Sequence, residues 1–279
     1  MKLCNIIMEG ETHLAVQTDA GVLDLTAAGF PMDMDALIAT GSGAAAAHFL
    51  AEKALPAVEK PVYANVVNQT GKLVCVGFNY ADHAKGLDTK LPQYPILFSK
   101  FANALAPHEA QVSLPDWEVS YDYEAELVVV MGKATWNVSE EEAMDHVFGY
   151  TCGNDFSCRD PQMRSGQFLI GKTMPGFGPC GPVIVTADCF DPFQPMAIRS
   201  YVNGELRQDG NTTQMIFDCA KLISYASRYI ALEPGDLIYT GTPSGVALEK
   251  KDGSRRWLVP GDRVDVEIEG IGTLTSYMV

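Results

Sequence analysis

The chain has 279 residues, 47% hydrophobic and 20% charged, which is an ordinary globular composition with ample material for a core. Its net charge of −15 offers no basic stripe that could neutralise phosphates, which argues against nucleic acid or an anionic membrane surface as a partner. The seven scattered cysteines form no C-x-x-C pair, no apolar run reaches the length of a membrane span, and the start does not resemble a signal peptide. We therefore expect a cytoplasmic protein without disulfides or a zinc site.

The first part of the chain is predicted to be a small α+β domain, residues 1–65. Strand-like segments at 3–8, 13–17 and 22–25 are separated by glycine-containing turns, and a helix is expected over 43–58. The apolar strand 72–77 then opens a larger, β-rich α+β domain, residues 66–279.

The loop after that strand brings chemically useful side chains together. It reads Gly77-Phe-Asn-Tyr-Ala-Asp-His83. A lone histidine is more often structural, but His83 follows a buried strand, and imidazole titrates near neutral pH. We therefore regard His83 as a candidate for acid–base chemistry.

Two carboxylates beside an apolar run are the most informative feature. Glu124 and Glu126 are two residues apart in a predicted strand over 121–130, so both point to one face. Residues 127–131 are apolar on both faces, which indicates a strand deep inside a sheet. Buried carboxylates are costly unless they are paired or bind a metal. A metal site is favoured over an exposed edge strand with solvated acids.

A third carboxylate follows later in the chain. Ser139 is predicted to open a short helix with a capping-box pattern. The strand that is predicted after this helix ends at Asp155. Alone, Asp155 would more often be a turn residue or helix cap. Together with the two glutamates it makes an oxygen site that suits Mg²⁺ or Mn²⁺.

Two further loops could contribute to a site. Lys172 lies in a loop rich in Gly and Pro, where a solvated lysine would otherwise be expected. A helix is predicted over 213–231, and a strand over 237–240 leads into a tight turn with Gly241 and Thr242. The glycine would let backbone N–H groups approach an anion, and the threonine adds a hydroxyl. Two strands are predicted at the end of the chain, and the first of them covers 263–268.

Several ordered motifs resemble the fumarylacetoacetate hydrolase family, particularly its acylpyruvase-like members, over roughly residues 70–279. The motifs lie at 76–83, 98–100, 123–127, 149–162, 202–208, 215–217 and 240–245. The resemblance implies a mixed β-roll catalytic domain, a homodimer, and one Mg²⁺ or Mn²⁺ ion held by Glu124, Glu126 and Asp155.

The same resemblance implies roles for other residues. The substrate is expected to be a small 2-oxo acid. His83 would act as the base, with Lys172 and Gln162 as its catalytic helpers. The expected substrate contacts are Tyr80, Arg159, Gly241 and Thr242.

The implied reaction is hydrolysis of a carbon–carbon bond in acylpyruvate- or fumarylpyruvate-type acids through a metal-bound enolate. One departure favours alternatives. The family's loop typically reads His-x-x-Glu, whereas this chain has Gly86 at that position, with Asp88 the nearest acid to replace the glutamate. Oxaloacetate decarboxylation, keto–enol tautomerisation or isomerisation, and an inactive metal-binding relative therefore stay open, and Gly86→Glu is expected to raise hydrolysis.

Overall fold

A ten-stranded mixed sheet organises the chain in the computed structural model, which describes residues 1–40, 43–51, 55–251 and 253–279. Within these residues the strands are β1 (Lys2–Met8), β2 (Glu11–Thr18), β3 (Gly21–Asp24), β4 (Leu73–Gly77), β5 (Ile96–Lys100), β6 (Leu105–Ala106), β7 (Ala110–Val112), β8 (Tyr121–Asp122), β9 (Ala125–Met131), β10 (Val147–Asn154), β11 (Ser157–Cys158), β12 (Gly178–Thr186), β13 (Ala197–Val202), β14 (Glu205–Asn211), β15 (Leu237–Tyr239), β16 (Arg263–Ile268) and β17 (Gly272–Met278). The α-helices there are α1 (Met34–Thr40), α2 (Gly43–Ala51), α3 (Ala81–Gly86), α4 (Glu140–Ala143), α5 (Arg159–Met163), α6 (Leu169–Lys172) and α7 (Cys219–Ser227).

The large sheet has the order β3-β2-β1-β12-β10-β9-β15-β4-β5, and β6 also pairs with β12. A five-stranded sheet has the order β14-β13-β16-β17-β7, and β8 pairs with β11. Short helices are interspersed among these strands. The predicted β-rich α+β class is confirmed.

Strand β9 lies at the centre of the large sheet, and every one of its residues is buried. Leu127 and Val129 belong to one core cluster with Val266 of the five-stranded sheet, while Val128 and Val130 belong to a second cluster on the opposite face. Both faces are covered, which explains why the run is apolar throughout. The single strand predicted over 121–130 was wrong in one respect, because the chain leaves the ladder between β8 and β9.

The three predicted N-terminal strands are present and extend the large sheet. Lys2 and Leu3 of β1 pair with Val185 and Ile184 of β12. Of the predicted helix 43–58, α2 covers Gly43–Ala51, residues 52–54 lie outside the described residues, and the Val58 N–H bonds to a carbonyl of β3. The domain boundary near residue 65 stays a prediction.

Local capping decides where the later helices begin. The Ser139 capping box is confirmed, and it opens α4. The helix predicted over 213–231 is shorter, because the Asp218 carboxylate accepts the Lys221 N–H at 2.9 Å and starts α7 at Cys219. Within the described residues, none of the helices has the length and apolar character that a membrane span needs.

Candidate metal centre and its cavity

The site lies along one edge of the large sheet. Strands β4 and β15 are parallel, and β9 runs antiparallel to both β15 and β10. The carboxyl ends of β4, β15 and β10 therefore meet the amino end of β9. This geometry collects side chains from four separate parts of the chain in one place.

Three acidic side chains converge there. Glu124 lies just before β9, Glu126 is its second residue, and Asp155 follows β10. A ligand oxygen from each lies within 4.8 Å of the others, and all three residues are buried, at 5%, 1% and 0% exposure. Although the chain leaves the ladder between β8 and β9, Glu124 is held at the end of β10. Its N–H donates to Asn154 Oδ1 at 2.9 Å, and its carbonyl accepts the Asp155 N–H.

Buried cations compensate two of these carboxylates. Lys172 Nζ donates to Glu124 Oε2 at 2.7 Å and to Asp155 Oδ2 at 2.8 Å. Lys100 Nζ lies 2.5 Å from Asp155 Oδ1, and Arg159 Nη2 lies 2.7 Å from Glu124 Oε1. Burial by itself would raise the pKa of Glu124, but Lys172 and Arg159 hold that pKa well below its usual range.

Glu126 is different, because among the described residues it has no ion-pair partner. Its Oε2 accepts only the Gly241 N–H, at 2.7 Å. Burial, reinforced by the charges of Asp155 and Glu124, raises the pKa of Glu126 well above its ordinary value of 4.5. Among the described residues, one carboxylate of the cluster is thus left without a direct ion pair, and Lys172 offsets its charge only from a distance. The oxygen-only donor set fits a hard divalent cation such as Mg²⁺ or Mn²⁺.

The other predicted site residues divide into those that line the cavity and those that do not. Gln162 and Thr242 line the cavity next to the carboxylates. Arg159 also lines it, but its guanidinium is held by Asp122 at 2.8 Å as well as by Glu124. The Gln162 Oε1 accepts from Arg159 Nη1 at 3.0 Å.

Gly241 and Tyr80, two residues predicted to contact the substrate, are not among the described residues that line the cavity. The Gly241 N–H is directed at the Glu126 carboxylate, so the anion it binds belongs to the protein. Its φ of +96° and the 2.7 Å that would separate an added Cβ from Asn79 Cβ explain why glycine is needed. Tyr80 is fully buried and is not among the described residues that line the cavity.

His83 lies on α3 and lines the same cavity. Its Nδ1 lies 2.5 Å from Glu249 Oε1, and its ring stacks on Phe78 with centroids 5.9 Å apart. Asp88, the nearest acid in the sequence that could replace the missing glutamate, is exposed and pairs with Lys251. The acidic partner of His83 is thus a residue that the sequence did not single out.

The cavity has a volume of about 330 Å³ and a mixed lining. The lining includes the apolar side chains of Val76, Phe98 and Phe168 as well as the carboxylates, and Lys251 and Arg255 line its rim. The rim residues are exposed. A small anionic molecule would meet the positive charge of Arg255 at the rim, whereas Lys251 is paired with Asp88 there.

Sequence reasoning missed three residues of this site. In the sequence, Lys100 stands out only as part of the motif at 98–100. Asp122 binds Arg159 and also accepts the N–H groups of Ala247 and Leu248 at 2.8 and 3.0 Å. Glu249 ends a 3₁₀ turn, Ala247–Glu249, that Asp122 fixes in this way. The sequence signal for Glu249 was indirect, namely the absence of an acid at position 86.

Comparison with known families gives a match to the model described as fumarylacetoacetate (FAA) hydrolase C-terminal, over residues 72–279. The mitochondrial oxaloacetate tautomerase fahd2 of Xenopus laevis is 41% identical over 75% of this chain and 65% of its own length. The chain thus spans just under two thirds of that relative. The oxaloacetate tautomerase YisK of Bacillus subtilis is 40% identical over 78% of this chain and 73% of its own length.

A solved structure covers the whole fold. The fumarylacetoacetate hydrolase of the psychrophile Exiguobacterium antarcticum superimposes with a TM-score of 0.89 at 34% identity, over 100% of this chain and 99% of that one. The likeness therefore includes the N-terminal strands as well as the segment that the family model matches.

Proposed function

Because the chain belongs to the fumarylacetoacetate hydrolase family, we propose that it is a divalent-cation-dependent keto–enol tautomerase of a 2-oxo dicarboxylic acid, with oxaloacetate as the first substrate to test. The observation that carries the proposal is the buried trio of Glu124, Glu126 and Asp155 in one cavity with His83. The two relatives named oxaloacetate tautomerases favour this reaction over the hydrolysis that we predicted first.

Tautomerisation moves one proton from the enol oxygen to C3, so that the O–H bond breaks and a C3–H bond forms. The C2=C3 double bond becomes single, and the C2–O bond becomes double. A bound Mg²⁺ or Mn²⁺ supplies the positive charge that favours the enolate form of a 2-oxo acid. Glu124, Glu126 and Asp155 would hold that ion.

His83 is proposed to carry the proton. Its Nδ1 is engaged by Glu249, which leaves Nε2 for the substrate. Lys172 is less suited to act as a base, since its ammonium donates to two carboxylates. Burial alone would lower the pKa of Lys172, but Asp155 and Glu124 raise it above the ordinary value.

Positive charge at the rim favours a substrate with a second carboxylate. Lys251 and Arg255 are exposed and line the cavity, and Lys251 would exchange its exposed partner Asp88 for that carboxylate. The volume of about 330 Å³ suits a small acid. A four-carbon dicarboxylate would have one carboxylate and its keto oxygen near the acidic trio and the other carboxylate towards the rim.

A second candidate, hydrolysis of an acylpyruvate, is favoured by one observation. The His83–Glu249 pair could activate a water, which weakens the inference we drew from Gly86 that no acidic partner is present. The Exiguobacterium antarcticum protein named as a hydrolase shares the whole fold.

The test is to follow the ketonisation of enol-oxaloacetate by the loss of its ultraviolet absorbance, with Mg²⁺, with Mn²⁺ and with EDTA. We expect a protein-dependent rate above the metal-ion background that disappears in EDTA. Acylpyruvates and keto-oxaloacetate are measured in parallel for cleavage and for CO₂ release. If acylpyruvate is cleaved and the enol is not consumed faster than the background, the tautomerase proposal is refuted in favour of the hydrolase.

A further inference from the structure

We infer that Arg255 is the residue that selects a 2-oxo acid with a second carboxylate over one with an apolar tail. This selectivity deepens the proposed function and rests on it, since the proposed function places the keto acid end of the substrate at the acidic trio. Two features of the described residues carry the inference, namely the partners of the cations in the cavity and the way the Arg255 guanidinium is held.

The other lysines and arginines that line the cavity are already paired with carboxylates. Lys172 and Arg159 both bind carboxylates of the acidic trio. Lys251 Nζ lies 2.5 Å from a carboxylate oxygen of the exposed Asp88. Among the described residues, Arg255 lines the cavity without a carboxylate partner. A second carboxylate on the substrate would therefore meet an uncommitted cation at Arg255, whereas Lys251 would first have to leave its partner.

The Arg255 guanidinium is held at one edge and against one ring. Its Nε donates to the Lys250 carbonyl and its Nη2 donates to the Leu248 carbonyl, both at 2.9 Å. Its Cζ lies 5.2 Å from the centroid of the Trp257 ring. Among the described residues none accepts from Nη1, so both of its N–H groups are available to a ligand. A guanidinium that is oriented beforehand loses less conformational freedom when it binds a carboxylate.

A chain of hydrogen bonds links this guanidinium to the acidic end of the cavity. The Leu248 N–H donates to Asp122 Oδ2 at 3.0 Å, and the same oxygen accepts from Arg159 Nε at 2.9 Å. Arg159 Nη2 in turn lies 2.7 Å from Glu124 Oε1. Arg255 is thus fixed relative to the acidic trio, so an acid that is held at the trio presents its tail to a donor in a set position.

The test compares two stable ligands that differ only at the far end of the molecule. In 2-oxopentanoate a methyl group replaces the distal carboxylate of 2-oxoglutarate, and the chain length is the same. Both are titrated calorimetrically into the protein in saturating Mg²⁺. Because Arg255 is exposed and water screens its charge, we expect the unmutated protein to bind the dicarboxylate about five- to tenfold more tightly.

Substitutions at position 255 should change this ratio. Arg255→Met is expected to bring the two affinities within about twofold, and Arg255→Glu is expected to reverse their order, because a carboxylate then faces the tail. Arg256→Met is the matched control. Arg256 pairs with Asp262 at 2.6 Å and is not among the described residues that line the cavity, so this variant should keep the preference.

The ratio of the two affinities separates recognition from a structural role. If Arg255 only closed its loop, Arg255→Met would weaken both ligands alike and leave the ratio unchanged, which would overturn the inference. Equal binding of both ligands by the unmutated protein, or an equal loss of preference in Arg256→Met, would also overturn it. Ketonisation without any preference would refute the selectivity and leave the tautomerase standing. A preference that depends on Arg255 in a protein that does not ketonise would refute the tautomerase and support the selectivity.

Discussion

Replacing Glu126 by Gln should change stability in opposite directions without and with magnesium. The amide keeps an oxygen for the Gly241 N–H but removes the carboxylate that lacks an ion-pair partner among the described residues. In the folded, metal-free protein the pKa of Glu126 is raised above the ordinary 4.5. The contribution of this group to stability is therefore fully present below the unfolded pKa and is lost as pH rises through the folded value.

The magnitude follows from the usual cost of burying a polar group without its partner, which is about 1–3 kcal/mol. An unfolding entropy of about 2.1 cal/mol/K per residue gives about 0.6 kcal/mol/K for this chain. At pH 8 in EDTA, Glu126→Gln should thus melt about 2–5 °C above the unmutated protein, and the gain should shrink towards pH 5.

Magnesium should reverse the order. A ligand at a hundred times its dissociation constant stabilises by about 2.7 kcal/mol, which is about 4–5 °C here. The unmutated protein should show this rise and Glu126→Gln should lose most of it. Differential scanning fluorimetry in EDTA and in Mg²⁺ at several pH values measures both effects.

Glu59→Gln, the same change at an exposed site, controls for the loss of one negative charge from an acidic protein. An equal magnesium-dependent rise in Glu126→Gln and the unmutated protein would refute the metal assignment. An unchanged melting temperature in EDTA would refute the uncompensated buried charge.

Three other substitutions probe separate parts of the cavity. The Asn side chain in His83→Asn can still donate to Glu249. This variant should lower kcat about 10²–10⁴-fold and keep the Mg²⁺-dependent rise in melting temperature. Retained turnover would show that His83 does not carry the proton. Lys251→Met should raise KM for oxaloacetate up to about fivefold, whereas Lys250→Met, which is exposed but does not line the cavity, should not; equal effects would argue against a carboxylate at the rim. Gly241→Ala should cost about 2–4 kcal/mol of unfolding free energy. The control is Gly261→Ala, which has a similar φ of +95° and no neighbour within 4 Å of the added Cβ, and it should cost about 1 kcal/mol. Similar losses for the two variants in urea titrations would show that the close approach to Asn79 does not matter.

The acidic trio was accessible to sequence reasoning because its signals are local. Two glutamates beside an apolar run identified the amino end of a buried strand, and Asp155 followed the next strand. Antiparallel pairing of adjacent strands brings such ends together, so a coarse strand assignment sufficed. The break before β9 escaped notice, since alternating side chains look the same whether or not the ladder is continuous.

Glu249 could not be found in this way. It lies 166 residues from His83, in a charged segment that resembles any solvated loop. Its burial depends on Asp122, which binds the backbone of the turn, and on the missing side chain at position 86. Lys100 was unpredictable for a related reason. It closes a short edge strand, and only the packed fold shows that its ammonium is enclosed beside Asp155.

The acids and the rim belong to different kinds of structure, which has a consequence for how such a protein diversifies. Glu126 lies in the ladder of two central strands and Glu124 and Asp155 lie directly beside that ladder, whereas the described residues from Lys250 to Arg256 are exposed and belong to no helix or strand. Exchanging that segment would alter which tail of the acid is accepted while the cation-holding floor stays intact. Laboratory evolution of selectivity should therefore begin with residues 250–256, and it should leave the neighbouring turn with Glu249 untouched.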